Sequence, residues 1–218
     1  LPVFFPADGR IYFDRMRSAS IFHDTSRVEP RPIVESAMVA QLGSVHVEAI
    51  ALDHRVTTFG YRLTEPDGMR LDPDALAHRG IQGPDIGRLQ RDGSIETPNG
   101  TVGLDQVATP RRGQSMAFVM DTGVCDAVLE LADGVDLLVC ESTFLHAEAE
   151  LAARFRHLTA RQAAELATKA RARRLVLTHF SARYPDDALF AVEASRYHHD
   201  VVAATDLAVI EVPGRSSN

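Results

Sequence analysis

Three short apolar runs that end in polar residues constrain the fold of this chain most strongly. They are residues 115–123 (SMAFVMDTG), 135–140 (VDLLVC) and 174–178 (RLVLT), and they contain or lead to Asp121, Glu141 and His179. Helical segments at 125–132 and 159–171 separate the runs, which gives a β-α-β-α-β order. This order is typical of parallel strands with right-handed crossovers, whose carboxyl ends share one edge of the sheet. We therefore predict that Asp121, Glu141 and His179 lie at the same edge.

The composition limits the classes of protein to which the chain can belong. With 218 residues, 45% of them hydrophobic, it can bury one sizeable core, so one domain is expected. The formal net charge of -7 argues against non-specific binding of polyanions and is compatible with a local basic patch. Two cysteines and the lack of an apolar run of about 20 residues favour a cytoplasmic protein without a membrane span.

A pair of antiparallel strands is expected before the parallel strands. Apolar residues alternate with polar ones along residues 41–63, and this alternation breaks only at the turn formed by Asp53, His54 and Arg55. The pattern therefore predicts a hairpin that carries His54 at its tip.

Residues 64–114 differ from the rest of the chain because they are rich in Gly, Pro, Asp and Arg and show no sustained apolar period. A short helix near residues 73–78 is the only regular element expected there. Near the middle of this segment lie Gly83 and Pro84, flanked by Arg79, Arg88 and Arg91. A loop this long in a compact domain is either a tolerated surface excursion or a functional segment. The second interpretation makes residues 65–107 an inserted, protruding substrate-binding arm.

Histidine and carboxylate side chains at the strand ends suggest a metal site. Zinc binds imidazole nitrogens and carboxylate oxygens that a rigid frame brings together, and His54, Asp121 and His179 have these atoms. Each residue has an alternative interpretation: Asp121 as the N-cap of the next helix, and the histidines as solvated or backbone-bonded residues. Their convergence at strand ends favours the metal site.

His157 and Glu141 form a second candidate pair. His157 precedes a helix start and Glu141 ends a strand, so the carboxylate could orient the imidazole and raise its basicity. Such a pair suits proton transfer to a leaving alkoxide, and the alternative is a surface histidine near a helix start. The remaining histidines are interpreted as solvated surface residues: His23, His46, His78, His146, His198 and His199.

From about residue 40 onward, the segments around these candidates resemble ribonuclease Z, a branch of the metallo-β-lactamase fold. The matching segments are LDHRVTTFGYRL at His54, VMDTG at Asp121, CESTF at Glu141, RHLTARQAAELA at His157 and LTHFSARY at His179. The resemblance implies an α/β fold, the αβ/βα sandwich, with two Zn²⁺ ions per complete active site. It also implies a homodimer that cleaves precursor tRNA beyond the discriminator nucleotide.

The same resemblance implies a role for each candidate residue. Asp121 would bridge the two metals, and His54 and His179 would each bind one of them. His157 together with Glu141 would assist the leaving group. The RNA-binding residues of the arm would be Gly83, Pro84, Arg79, Arg88 and Arg91.

The chain departs from the family pattern in two ways. It has MDT, CEST and HLT where the family has GDT, HEAT and HST, which keeps the types of metal-binding residue. It also has no H-x-H-x-D-H motif among its nine histidines, and in the family that motif supplies most ligands of the first metal. Residues 1–218 are therefore expected to be the C-terminal portion of a metallo-β-lactamase domain, inactive when alone.

The function expected on these grounds is that of a zinc-dependent endoribonuclease that removes the 3′ trailer of precursor tRNA. One alternative is a small-molecule hydrolase of the same fold, which would need no remote arm with arginines. The other alternative is a truncated, non-catalytic module for RNA binding or dimerisation. The missing ligands favour this last alternative for the polypeptide by itself.

Overall fold

The computed structural model describes residues 1–21, 23 and 25–214. Its strands, in chain order, are β1 (Pro2–Pro6), β2 (Glu29–Ile33), β3 (Ala37–Leu42), β4 (Val45–Ala51), β5 (Phe59–Thr64), β6 (Gly68–Leu71), β7 (Ser94–Thr97), β8 (Gly100–Gly103), β9 (Ala108–Arg111), β10 (Ser115–Val119), β11 (Leu137–Glu141), β12 (Arg174–Thr178) and β13 (Val201–Ala203). Its α-helices are α1 (Arg10–Arg17), α2 (Pro73–His78), α3 (Pro84–Asp92), α4 (Asp126–Ala132), α5 (Ala149–Phe155), α6 (Ala160–Lys169) and α7 (Ala188–Ala194). None of the helices in the described ranges has the length and apolar character needed to cross a membrane.

Seven strands form the main sheet, in the order β13-β12-β11-β10-β5-β4-β3. The strands from β10 to β13 run parallel, and β5, β4 and β3 continue the sheet in antiparallel pairing. The turn between β4 and β5 is closed by a hydrogen bond of 2.9 Å from the Leu52 N–H to the Thr58 carbonyl. The parallel strands and the hairpin predicted from the sequence are therefore confirmed.

The core of this sheet is filled by branched side chains on the strands and small ones on α6. Fully buried residues include Leu138, Leu175 and Leu177 on the strands and Ala160, Ala163, Ala164 and Ala167 on α6. Because alanines occupy little space, the α6 backbone can lie close to the sheet. The helix begins at a capping box, in which Thr159 and Gln162 each accept a hydrogen bond from the other's backbone N–H. This cap fixes the segment immediately before α6.

Pro66–Gly113 is a compact unit of its own, called the inserted unit below, while Leu1–Glu65 and Gln114–Gly214 form the other unit. The inserted unit contains α2, α3 and two antiparallel pairs, β6 with β9 and β7 with β8. Its main hydrophobic cluster is built on the buried side chains of Leu76, Ile81, Leu89, Val102 and Val107. The expectation of one short helix without an apolar pattern was wrong, because strands of four residues are too short to show a periodicity.

His198 lies in the interior rather than on the surface. It is 4% exposed, and its Nδ1 is 3.0 Å from the hydroxyl oxygen of Thr168 on α6. Burial lowers the pKa of His198, and the neighbouring His199 adds to this shift. The interpretation of His198 as a solvated residue was therefore wrong, because the contact with α6 joins residues 30 positions apart, which a local pattern does not reveal.

Gly60 in β5 has no room for a larger side chain. A Cβ added there would collide with Cδ1 of Leu131 and lie 3.3 Å from the Phe118 carbonyl oxygen. Leu131 is fully buried, so it cannot move aside without disturbing the core. We expect Gly60→Ala to lower the free energy of unfolding, measured by urea titration, by about 1–3 kcal/mol. Gly9→Ala is the control, because its Cβ would meet no atom within 4 Å, and equal effects of the two changes would contradict this prediction.

Candidate metal centre

Asp121, Glu141 and His179 lie at the carboxyl edge of neighbouring parallel strands. Asp121 follows the end of β10, Glu141 is the last residue of β11, and His179 follows β12. Glu141 pairs with Thr178 in the β11–β12 register, so His179 comes one position beyond it. The Nε2 atom of His179 is 3.2 Å from Oδ1 of Asp121. The strand order thus brings the three residues to one edge, as the β-α-β-α-β pattern predicts.

Asp121, His157 and His179 direct potential metal-binding atoms toward one another. One carboxylate oxygen or ring nitrogen from each residue lies within 4.8 Å of the other two. Within residues 1–21, 23 and 25–214, this is the one group of three or more His, Cys, Asp or Glu side chains with such spacing. Two imidazoles and a carboxylate are donors that zinc and related ions prefer. These residues, called the donor group below, therefore fit a divalent metal ion.

Glu141 is a fully buried carboxylate surrounded by hydrogen-bond donors. Its Oε1 accepts a bond of 2.8 Å from the Thr122 N–H and lies 2.7 Å from Nδ1 of His157. Its Oε2 accepts from the Thr143 hydroxyl and N–H and from the Leu158 N–H, at 2.7, 3.2 and 3.2 Å. Because a carboxylate only accepts, Nδ1 of His157 carries a proton. Glu141 therefore orients His157 with Nε2 directed away from the carboxylate.

Thr143 connects the same carboxylate to His179. Its hydroxyl oxygen is 2.7 Å from Oε2 of Glu141 and 2.8 Å from Nδ1 of His179. The single hydroxyl proton goes to the carboxylate, so the imidazole donates its Nδ1–H to the hydroxyl oxygen. The lone pair of His179 is then on Nε2, the atom that faces Asp121. Glu141 thus orients two histidines, one directly and one through Thr143.

His54 lies beside the donor group. Its Nδ1 is 3.0 Å from the Arg156 carbonyl oxygen, so Nδ1 carries the proton and Nε2 has the lone pair. The centroid of its ring is 5.0 Å from the centroid of the His157 ring. The ligand set expected from the sequence differs from the donor group in one member, with His54 in place of His157.

The position of His157 depends on the turn at Arg156. This residue ends α5 with a left-handed backbone (φ 56°, ψ 55°), and the chain then leads directly into His157. A residue in this conformation after a helix is usually glycine or asparagine. Since an arginine gives no such signal, the sequence did not reveal that His157 approaches Asp121 and His179.

Left-handed backbone conformations are concentrated in this region. The φ angles of Asp121, Arg156 and His179 are 50°, 56° and 62°. For a residue with a Cβ, this conformation costs roughly 1–2 kcal/mol relative to a right-handed one. In the described part of the chain, the other non-glycine residues with positive φ are Arg171 and Leu207. Three strained residues around one donor group are typical of a functional site.

The two cysteines take no part in the donor group. Burial raises the pKa of the Cys140 thiol well above its ordinary value, and the adjacent Glu141 adds to the shift. Cys125 is half-buried, with its Sγ 3.5 Å from the Thr122 hydroxyl oxygen. Because the thiolate is the metal-binding form, a thiol as protonated as that of Cys140 is a poor ligand.

The five residues expected to bind RNA all lie in the inserted unit. Gly83 (φ 56°) is the N-cap of α3 and Pro84 is its first residue, which is the position that proline favours in a helix. Arg79 follows α2 and is half-buried, whereas Arg88 and Arg91 are exposed on α3. Arg88 forms an ion pair with Asp85, and this hydrogen bond raises the pKa of the guanidinium.

Comparison with known proteins identifies the fold. A profile described as the β-lactamase superfamily domain matches residues 15–180. The metallo-β-lactamase fold protein YhfI from Bacillus subtilis superposes with a TM-score of 0.61, at 15% identity, over 94% of this chain and 62% of that one. The short form of human tRNase Z superposes with a TM-score of 0.58, at 20% identity, over 97% of this chain and 66% of that one. The expected metallo-β-lactamase fold is therefore confirmed.

Several proteins named ribonuclease Z are much more similar in sequence. The protein from Salinispora arenicola is 49% identical over 98% of this chain and 69% of its own length. The protein from Thermobifida fusca is 46% identical over 99% of this chain and 69% of its own length. The protein from Nocardia farcinica is 50% identical over 97% of this chain and 70% of its own length. With this identity over nearly its whole length, the chain belongs to the ribonuclease Z family of the β-lactamase superfamily.

Proposed function

We propose that this chain carries the catalytic edge of a metal-dependent endoribonuclease that removes the 3′ trailer of precursor tRNA. The observation that supports the proposal most strongly is the donor group of Asp121, His157 and His179 in a member of the ribonuclease Z family. The proposal includes zinc as the metal, two ions per complete active site, a homodimer and a cytoplasmic location.

Asp121 and His179 of the donor group, together with the adjacent His54, are the proposed metal-holding residues, and the third member, His157, is assigned to proton transfer because Glu141 orients it. A bound divalent ion supplies a water of lowered pKa and offsets negative charge on the phosphate oxygens. His179 keeps the lone pair of Nε2 available because the Thr143 hydroxyl occupies its Nδ1. His54 keeps its Nε2 available in the same way, because the Arg156 carbonyl occupies its Nδ1. Both histidines are thus held in the tautomer that a ligand needs.

His157 is the proposed proton donor to the leaving alkoxide. To donate from Nε2, the ring must carry protons on both nitrogens and be positively charged. The fully buried Glu141 carboxylate lies 2.7 Å from Nδ1 and accepts a hydrogen bond from the proton on that nitrogen, which leaves Nε2 directed at the leaving group. The same contact holds the ring in one orientation, which proton transfer requires.

The inserted unit is the proposed RNA-binding arm. RNA carries phosphates over a long distance, so a nuclease can gain affinity from a few arginines on a separate unit. A hydrolase of small molecules gains nothing from such remote arginines. The arginines and the compact structure of Pro66–Gly113 therefore favour tRNA over a small substrate.

Replacing Arg79, Arg88 and Arg91 together by alanine tests this arm. We expect weaker tRNA binding and a flatter dependence of log Kd on log salt, by about one counterion for each lost phosphate contact. Filter binding at several salt concentrations provides both quantities. The control is the double variant in which Arg171 and Arg174 are replaced by alanine. Both lie outside the inserted unit, and each pairs with an aspartate. If the triple variant keeps both the affinity for tRNA and the salt slope of the wild type, residues 65–107 are a tolerated insertion without a role in RNA binding.

Mapping the products of precursor tRNA cleavage tests the function itself. Because the chain has no H-x-H-x-D-H motif, the assay uses a chimera in which it replaces the matched region of the Salinispora arenicola relative. We expect one cut that removes the trailer and no cut by the Asp121→Asn chimera. Hydrolysis of bis(p-nitrophenyl) phosphate without any cleavage of precursor tRNA would instead support a small-molecule hydrolase.

A further inference from the structure

Asp53 and Arg156 connect three loops at the edge of the sheet. The Asp53 carbonyl accepts a hydrogen bond of 2.8 Å from the Gly123 N–H, in the loop that follows β10. Nη1 of Arg156 donates to Oδ1 of Asp53 at 2.9 Å and to the His54 carbonyl at 3.0 Å. Since His157 is the residue after Arg156, these bonds tie together all three loops that leave β4, β10 and α5.

Arg156 acts on His54 with its backbone as well as with its side chain. Its carbonyl oxygen is 3.0 Å from Nδ1 of His54, and the left-handed backbone of Arg156 directs that carbonyl. A glycine would adopt this backbone without strain. The left-handed backbone at the end of α5 would therefore favour glycine at position 156. The presence of an arginine is explained instead by the two hydrogen bonds that its guanidinium donates.

The three loops lie close together at Gly123. A Cβ on Gly123 would lie 3.2 Å from Oδ2 of Asp53 and 3.7 Å from Cα of Arg156. Both neighbours are held in place by their mutual ion pair, so neither can move without breaking it. The ion pair of Asp53 with Arg156, together with the hydrogen bonds to the Asp53 and His54 carbonyls, holds the loops close together. This set of contacts is called the clasp below.

We infer that Asp53 and Arg156 are positioning residues, which hold His54 beside His157 in the tautomer with its lone pair on Nε2. This inference rests on the proposed function in one respect, the assignment of His54 as a metal ligand. Residues that orient a ligand from behind typically change metal affinity by about 10- to 100-fold. The ion pair itself is about half exposed, at 50% and 49%, and such pairs contribute little to overall stability. Loss of the clasp should therefore weaken metal binding without unfolding the protein.

The chain contains a matched control for this separation of effects. Arg171 also has a left-handed backbone, with φ of 59°, and it also pairs with an aspartate, Asp133. It contacts none of the histidines or carboxylates of the edge in the described part of the chain. Arg156→Gly and Arg171→Gly thus remove the same kind of residue from the same kind of backbone, inside and outside the clasp.

The experiment measures zinc affinity of the full chain by competition with a chromophoric chelator, and stability by urea unfolding. We expect Arg156→Gly to weaken zinc binding by about 10- to 100-fold and Arg171→Gly to leave it unchanged. Urea midpoints should be alike in the two variants, since both relieve a strained backbone and lose an exposed ion pair. Wild-type zinc affinity in Arg156→Gly, or an equal loss in Arg171→Gly, overturns the inference.

A measurement without metal gives a second readout. Arg156→Gly keeps the backbone carbonyl but loses the guanidinium bonds that hold the loop of His54 against it. Nitrogen-15 NMR of the metal-free chain should therefore show His54 protonated on Nδ1 in the wild type and a mixture of tautomers in Arg156→Gly. A single Nδ1–H tautomer in both proteins overturns the inference. His54→Ala separates the assignment of His54 as a ligand from the role of the clasp. If this variant binds zinc as tightly as the wild type, His54 is not a ligand, and the inference fails with that assignment. Weaker zinc binding in His54→Ala but not in Arg156→Gly would overturn the clasp alone.

Discussion

Glu141→Ala is expected to lower the free energy of unfolding by at least about 3 kcal/mol. The fully buried carboxylate is the acceptor for the N–H groups of Thr122, Thr143 and Leu158. Without it, these three groups remain buried with no acceptor, and each costs about 1–3 kcal/mol. Because domains are stable by only about 5–15 kcal/mol, this one change brings the protein close to unfolding.

Urea unfolding followed by circular dichroism measures this effect, and Glu193→Ala provides the matched control. Glu193 also accepts from backbone N–H groups, those of His146 and Arg161, but it is only half-buried. Water can replace its carboxylate, so we expect a loss of less than about 1.5 kcal/mol. Equal losses in the two variants would show that burial of Glu141 does not determine its contribution.

In the chimera, His157→Ala is expected to slow cleavage of precursor tRNA by about 10²- to 10⁴-fold, the usual contribution of a positioned general acid. The expected cause is loss of the proton that the leaving alkoxide receives. Zinc content should stay at the wild-type level, because Asp121, His179 and His54 remain. Single-turnover rates and elemental analysis of the same preparations measure the two quantities.

His54→Ala is the counterpart of this variant. It should lower zinc content, because it removes a proposed ligand and leaves the His157–Glu141 pair intact. His157 is the alternative ligand, since one of its ring nitrogens lies within 4.8 Å of donor atoms on Asp121 and His179. Loss of zinc from His157→Ala, with zinc retained in His54→Ala, would make His157 the ligand and reverse the two roles.

The edge of the sheet could be predicted because its signal is local. Each of β10, β11 and β12 is a run of five residues that is mostly apolar and that ends at or just before a polar residue. Chain order and right-handed crossovers then place the strand ends together. The inserted unit lacked this signal, because its core residues are spread over two short helices, strands of four residues and the connections between them.

The detailed geometry of the site could not be predicted, because it depends on contacts between distant residues. Glu141 contacts His157 across 16 residues, and His54 contacts Arg156 across 102 residues. The left-handed backbone at Asp121 and Arg156 is equally hidden, since neither residue is a glycine. Sequence reasoning therefore named candidate residues that the fold brings to one edge of the sheet, while their spacing emerged only from the folded chain.

A zinc titration of this chain, compared with Asp121→Asn, tests the central claim most directly. Zinc in a catalytic site usually takes three protein ligands, and the edge offers Asp121 and His179 together with His54 or His157. We predict one weak zinc site per chain that disappears in Asp121→Asn and persists in Asp126→Asn, a change at an exposed residue of α4. Two tightly bound zinc ions, or a zinc affinity that Asp121→Asn leaves unchanged, would contradict the account.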